Sequence, residues 1–140
     1  MRREQLDGLR VLLVEDVFEV RQIMRWMLEA RGATVADAST AREGLHLVRT
    51  QAFDVVLTDL RLPDMSGEAV IRGLRSESGG RTRIAAVSGA DARTLLRALE
   101  LGAERAFGKP VDWHGLLRYL GDTRDAAVAR SDSLSESEKS

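Results

Sequence analysis

Cysteine is missing from this 140-residue chain, which excludes disulfides, thiol catalysis and zinc held by cysteine. Aromatic residues make up 4%, histidine occurs only at His46 and His114, and proline only at Pro63 and Pro110. No uninterrupted apolar run exceeds four residues, far short of the roughly 18 of a membrane span, and the charged N-terminus is unlike a signal peptide. An excess of charge of either sign is lacking too. The 21 basic and 22 acidic residues leave a net −1, without the basic face that non-specific nucleic-acid binding needs. A soluble cytoplasmic protein that engages neither nucleic acid nor membrane is expected. Lysine is scarce beside nineteen arginines: there are two, Lys139 near the end and Lys109 inside "AFGKPV" (106–111). Hydrophobic residues, by contrast, reach 44%, enough to pack one domain of ordinary size.

Short apolar runs alternate with segments of helical period. "RVLLVED" (10–16), a continuous apolar run suited to burial on both faces, the weaker "TVADA" (34–38), "DVVLTD" (54–59), "RIAAVSG" (83–89) and the short "ERAFGK" (104–109) read as strands. Between them, Val20, Ile23, Met24, Met27 and Leu28 keep the spacing of one helix face. So do Ala41, Leu45 and Val48, then Val70, Ile71 and Leu74, then Ala92, Leu95, Leu96 and Leu99. "SESGGR" (76–81) reads as a surface loop. Asp112 is placed to cap a last helix with Trp113, Leu116, Leu117 and Leu120 inward. Five strand–helix units predict an α/β fold: a doubly wound five-stranded parallel sheet with five helices on its two faces. The domain is expected to span residues 9–121, after a lead of residues 1–8. Residues 122–140 form a C-terminal extension expected to be a mostly disordered tail, although "DTRDAAVAR" is able to extend the last helix.

Polar residues gather at the carboxyl ends of these strands. Glu15 and Asp16 follow the first, Asp59 the third, Ser88 and Gly89 the fourth and Lys109 the fifth. In the flavodoxin-like order 2-1-3-4-5 the first and third strands adjoin, so three carboxylates share one crevice. Like charges at that separation call for a cation, and an all-oxygen ligand set suits Mg²⁺ or Mn²⁺. A carboxylate, a hydroxyl and a lysine beside such an ion make a phosphoryl-transfer arrangement, with Asp59 as nucleophile. A compact ammonium reaches a single phosphoryl oxygen as a point charge, whereas a guanidinium prefers a bidentate fork, which accounts for a lysine at 109. Singly, each residue also has an ordinary use. Acid pairs cap helices, Asp59 and Ser88 suit turns, and a lysine before proline is commonly solvated.

Taken together, "VEDV", "TDLRLPDMSG", "VSGA" and "KPV" resemble the response-regulator receiver domain of two-component signalling. The loop spacing from Asp59 to Pro63, Met65 and Gly67 resembles it as well. That resemblance implies Asp59 as phosphoacceptor and Glu15, Asp16, Asp59 and the Arg61 backbone carbonyl as metal ligands. Ser88, Gly89 and Lys109 would contact the phosphoryl group, and Pro110 is the candidate for a cis bond. It also implies a histidine kinase or histidine phosphotransfer protein as donor. A downstream protein would bind the face made by helix 4, strand 5 and helix 5. The position that usually carries the coupling aromatic is Ala106, and the adjacent Phe107 points to the opposite face, as core. Arg61 and Ala90 stand where the family tunes hydrolysis of the acyl phosphate, and a long-lived phosphoryl state is expected of them.

A stand-alone chemotaxis-regulator-like protein, the receiver of a hybrid histidine kinase and a phosphate sink all remain open. A non-phosphorylated pseudo-receiver that serves as a docking module is a further alternative. A haloacid-dehalogenase-like phosphatase, the enzymatic alternative, needs an acid two residues after its nucleophile, where this chain has Arg61. The chain is therefore expected to be a phosphoacceptor rather than an enzyme. His46 and His114 are expected at the surface or in packing, Met24 and Met27 as gap-fillers and Trp113 as core.

Overall fold

Strand and helix alternate ten times along the computed structural model, which describes residues 5–139, with side chains to residue 132. The elements are β1 (Arg10–Val14), α1 (Phe18–Glu29), β2 (Thr34–Ala38), α2 (Ala41–Thr50) and β3 (Val55–Thr58). After them come α3 (Gly67–Glu77), β4 (Arg83–Ser88), α4 (Ala92–Leu101), β5 (Arg105–Gly108) and α5 (Trp113–Lys139). The strands form one parallel sheet in the order β2-β1-β3-β4-β5. This is the flavodoxin-like, doubly wound arrangement predicted from the alternation.

Side chains on successive strand residues point to opposite faces, so each strand feeds two cores. Val11, Leu13, Val55, Leu57, Ala85, Val87 and Phe107 pack with Met24 and Leu28 of α1 and Leu116 and Leu120 of α5. Leu12, Val14, Val56, Ile84 and Ala86 pack on the other face with Val48 of α2, Val70, Ile71 and Leu74 of α3, and Ala98 of α4. Phe107 and the half-buried Ala106 fall on these opposite sides. Trp113 packs partly buried against the first core, and both His46 and His114 are exposed.

Helix starts carry their own stops and starts. Thr40, Ser66 and Asp91 accept from the N–H groups of Glu43, Ala69 and Thr94, and α4 ends on Gly102 at φ 119°. Asp64 reaches further. From the loop after β3 it accepts the N–H groups of Ala41 (3.0 Å) and Arg42 (2.9 Å), the first turn of α2. Burial pushes the Asp64 carboxyl up, but these two bonds outweigh it and hold it below its ordinary 3.8. A lowered carboxyl stabilises the fold above its unfolded pKa and loses that contribution as pH falls through the folded value. Asp64→Ala is therefore expected to cost about 1 kcal/mol at neutral pH. In urea unfolding, the gap from the parent should close below pH 3.8. A gap independent of pH would assign the loss to packing instead.

Three expectations need correction. Ile23, assigned to the buried face of α1, is 57% exposed: Met24 and Leu28 are the buried residues of the helix, Val20 packs partly buried against the same core, and Met27 is half-buried. Leu96 and Leu99 of α4 are likewise exposed, and Ala98 takes the inward position, with Leu95 and Leu101 half-buried. The extension expected to be mostly disordered is helical: α5 continues to Lys139. Fading apolar periodicity marks loss of burial rather than loss of helix. Ala126, Ala127 and Ala129 are strong helix formers, and Arg124 Nε ties the extension to the Asp7 carbonyl at 3.0 Å. In addition, α3 runs through Ser76 and Glu77, so the loop begins at Ser78. Residues 1–4 of the expected lead and Ser140 lie outside the described residues.

Candidate functional site

The sheet ladder runs one residue past three of the strands and so delivers the polar residues to a common edge. Glu15 N donates to Ala38 O (3.0 Å), Asp59 N to Val14 O (2.9 Å) and Lys109 N to Ser88 O (3.1 Å). Ser88 itself pairs with Gly108 across β4 and β5. Five residues that the sequence places at strand ends, Glu15, Asp16, Asp59, Ser88 and Lys109, therefore converge. Glu15 and Asp59 are buried and Asp16 is exposed, yet one oxygen from each lies within 4.8 Å of the others.

The two oxygens of Asp59 are not equivalent. Oδ1 accepts from Leu60 N (2.6 Å), Arg61 N (3.0 Å) and the Ser88 hydroxyl (2.6 Å). Oδ2 has one protein partner among the described residues, the Lys109 ammonium at 3.0 Å. The Ser88 hydroxyl also accepts from Ala90 N at 3.2 Å, so the segment through Gly89 turns the hydroxyl toward the carboxylate. Lys109 donates to Glu15 as well, and thus bridges the two buried acids.

Burial alone would push the Asp59 carboxyl up. The bonds from Ser88, the Arg61 N–H and Lys109 outweigh it and hold Asp59 below its ordinary value, hence ionised near neutral pH. Glu15 goes the other way. Its burial exceeds the help from Lys109 and the Val17 N–H, Asp59 repels it, and its pKa rises. For Lys109, burial pulls the ammonium down, but the two carboxylates more than compensate and raise it. The pocket is thus two buried acids on one cation, with a third acid exposed at the rim. That arrangement fits a divalent ion: the oxygens are preassembled, and negative charge exceeds positive.

The remaining candidates lie nearby with different surroundings. The Lys109–Pro110 peptide bond is cis. Arg61 is exposed and engages Asp59 through its backbone. Ala106 is half-buried and presents a methyl group where a ring would reach the second core. Two contributors escaped the sequence reading. The Leu60 N–H is a backbone donor, which no residue type announces. Arg21 donates through Nη1 to the Glu15 carbonyl at 2.7 Å; its only sequence signal is a cation one turn into the helix after the acid pair. The chain that leaves the acidic rim at Asp16 exposes Val17, then Phe18, Ile23 and Trp26 along α1, the last at 71%.

A family model described as the response regulator receiver domain matches residues 11–120. Among curated proteins, the chain is 38% identical over 103 residues to a cell cycle response regulator, CtrA of Brucella ovis, covering 73% of this chain and 44% of that protein. It is 33% identical over 128 residues to the sensor histidine kinase AruS of Pseudomonas aeruginosa, covering 89% of this chain and 13% of the kinase. The chain therefore spans less than half the length of either relative. Among solved structures, it resembles the receiver domain of the sensor histidine kinase PA1611 from Pseudomonas aeruginosa, which has a magnesium ion coordinated in its cleft. The TM-score there is 0.76 at 27% identity, over 84% of this chain and 98% of that one.

Proposed function

The chain belongs to the response regulator receiver family of two-component signalling, and from that premise we propose that it is a phosphoacceptor switch built on Asp59. The phosphoryl group comes from a histidine kinase or histidine phosphotransfer protein. Mg²⁺ or Mn²⁺ would be held by Glu15, Asp16 and Asp59, whose oxygens cluster, with the Arg61 carbonyl as the fourth protein ligand that the resemblance implies. When bound, the ion offsets negative charge on the phosphoryl oxygens.

The observation that carries this reading is the asymmetry of Asp59. With Oδ1 engaged by three donors, Oδ2 is the nucleophile, and it is already ionised. It attacks the phosphorus of a phosphohistidine; the P–O bond forms as the P–N bond breaks, and the imidazole nitrogen leaves with the electron pair. Lys109, 3.0 Å from Oδ2, follows the charge onto a phosphoryl oxygen. Ser88 exchanges its bond to Oδ1 for one to another phosphoryl oxygen and draws the segment through Gly89 and Ala90 with it. A protein donor has to cover the rim to bring its phosphorus to Asp59, and the apolar surface of Val17, Phe18, Ile23 and Trp26 supports that role.

The response is read on the α4–β5–α5 face, where Leu96 and Leu99 stand exposed for a downstream protein. Ala106 has no ring to swing, so transmission there rests on movement of the β4–α4 segment. The sequence at the site favours a phosphoacceptor over an enzyme. Arg61 stands where a haloacid-dehalogenase-like phosphatase needs its general acid, and an arginine does not serve as one near neutral pH.

Incubation with Mg²⁺ and phosphoramidate, followed by intact mass, tests the proposal. A gain of one phosphoryl group that hydroxylamine removes is expected, as for an acyl phosphate. Its decay should be slow and should quicken in Arg61→Ala, which uncovers the group. Demonstrated Mg²⁺ binding with no mass gain would favour the docking-module alternative.

A further inference from the structure

We propose that Arg21 is a positioning residue for Asp16, setting the direction in which this exposed carboxylate meets a divalent cation; the inference rests on the metal reading above. Glu15 is fixed by its neighbours on both sides. Its N–H donates to Ala38 O at 3.0 Å, and its carbonyl accepts from Arg21 Nη1 at 2.7 Å. That carbonyl and the N–H of Asp16 belong to one rigid peptide plane. Holding the oxygen therefore sets the orientation from which the Asp16 Cα and side chain depart. Asp16 is exposed and has no side-chain hydrogen bond of its own among the described residues.

Arg21 is held for this task. Its side chain is only 12% exposed, and the Phe18 ring lies 5.5 Å from the guanidinium carbon. Asp37 on β2 balances its charge incompletely. Arg21 Nε stands 3.7 Å from Asp37 Oδ1, while Arg25 takes Oδ2 at 2.7 Å. Nε is consequently a buried donor without a hydrogen-bond partner. A group so costly to bury is not explained by its ion pair, which is longer than that of its neighbour. The short bond to the Glu15 carbonyl is the contact that gives it a use.

The test compares Mg²⁺ affinity by calorimetry, and Mn²⁺ affinity by electron paramagnetic resonance, in the full chain and its variants. Arg21→Ala should weaken both ions about tenfold. Arg21→Lys, which keeps a donor for the carbonyl, should recover most of the loss and also serves if the alanine variant folds poorly. Arg25→Ala, which loses a bond to the same Asp37 but none to Glu15, should bind as the parent does. In an Asp16→Ala background, Arg21→Ala should add no further loss. A lowered melting temperature with unchanged Mg²⁺ affinity would overturn the proposal, as would an equal loss with and without Asp16. If the parent chain binds neither ion, the metal reading itself fails. If the parent binds and Arg21→Ala matches it, only the positioning role fails.

Discussion

Asp59→Asn will take up no phosphoryl group from phosphoramidate and Mg²⁺, yet will fold at least as stably as the parent. The chemical half follows from the two oxygens. An amide oxygen still accepts the Leu60 and Arg61 N–H groups that now hold Oδ1. In place of Oδ2, however, it offers a non-nucleophilic NH₂, so uptake should fall by about 10³-fold or more. Neither neighbour substitutes for it: Glu15 is bound to Lys109, its pKa is raised, and Asp16 lacks a hydroxyl or ammonium partner among the described residues. The stability half is a balance. Asp59's own bonds favour its ionised form, but Asp59 and Glu15 share one ammonium and repel each other, so relief of Glu15, left alone with Lys109, is expected to offset the bonds lost. Intact mass and urea unfolding check the two halves. Uptake at the parent rate would move the acceptor to another acid.

Lys109→Ala should do the reverse and damage both stability and chemistry. Without divalent ions it leaves Glu15 and Asp59, with side chains 3% and 7% exposed, without their common cation. Breaking a buried pair from one side costs about 3 kcal/mol. Added Mg²⁺ should restore much of this, because it supplies the missing positive charge, and it should bind more tightly than to the parent, where the ammonium competes. Phosphoryl uptake should nonetheless stay about 100-fold slower, since no donor remains to follow the charge as it leaves Oδ2. Lys109→Arg separates these effects. It keeps the charge and should recover stability, but a planar fork does not reach one oxygen beside two acids as a point charge does, and the rate should remain low. Unfolding with and without Mg²⁺ gives the first part, and timed mass analysis the second. Equal stability in both conditions, with unchanged uptake, would remove Lys109 from the proposed site.

Much of this was legible in the residues because buried parallel strands and their crossover helices have different periods. That difference located all five strands, and the strand order then placed Glu15, Asp16, Asp59, Ser88 and Lys109 on one edge. Ala106 and Phe107 could be assigned to opposite faces from alternation alone, and the two cores divide between them. What stayed hidden depends on three-dimensional detail that period does not encode. Spacing gives a helix an apolar side but not how far the neighbouring strands extend beneath it, so Ile23, Leu96 and Leu99 were drawn inward. The bonds of Asp64 to α2 and of Arg21 to Glu15 join segments by side chains whose reach no pattern specifies. Backbone donors such as the Leu60 N–H carry no residue signature. In the extension, a helix whose described residues bury little beyond Thr123 looks, by composition, like an unstructured tail.

The three donors on Asp59 Oδ1 also bear on entropy. A free carboxylate turns about its last bond and offers either oxygen. Here Leu60, Arg61 and Ser88 stop that rotation, so under the proposed function the choice of reacting oxygen is made when the chain folds and not when a donor arrives. Each encounter then meets the same lone pairs in the same direction. If Asp59 is the acceptor, an encounter that fails to react is expected to fail for the partner's orientation, because the carboxylate has none left to find.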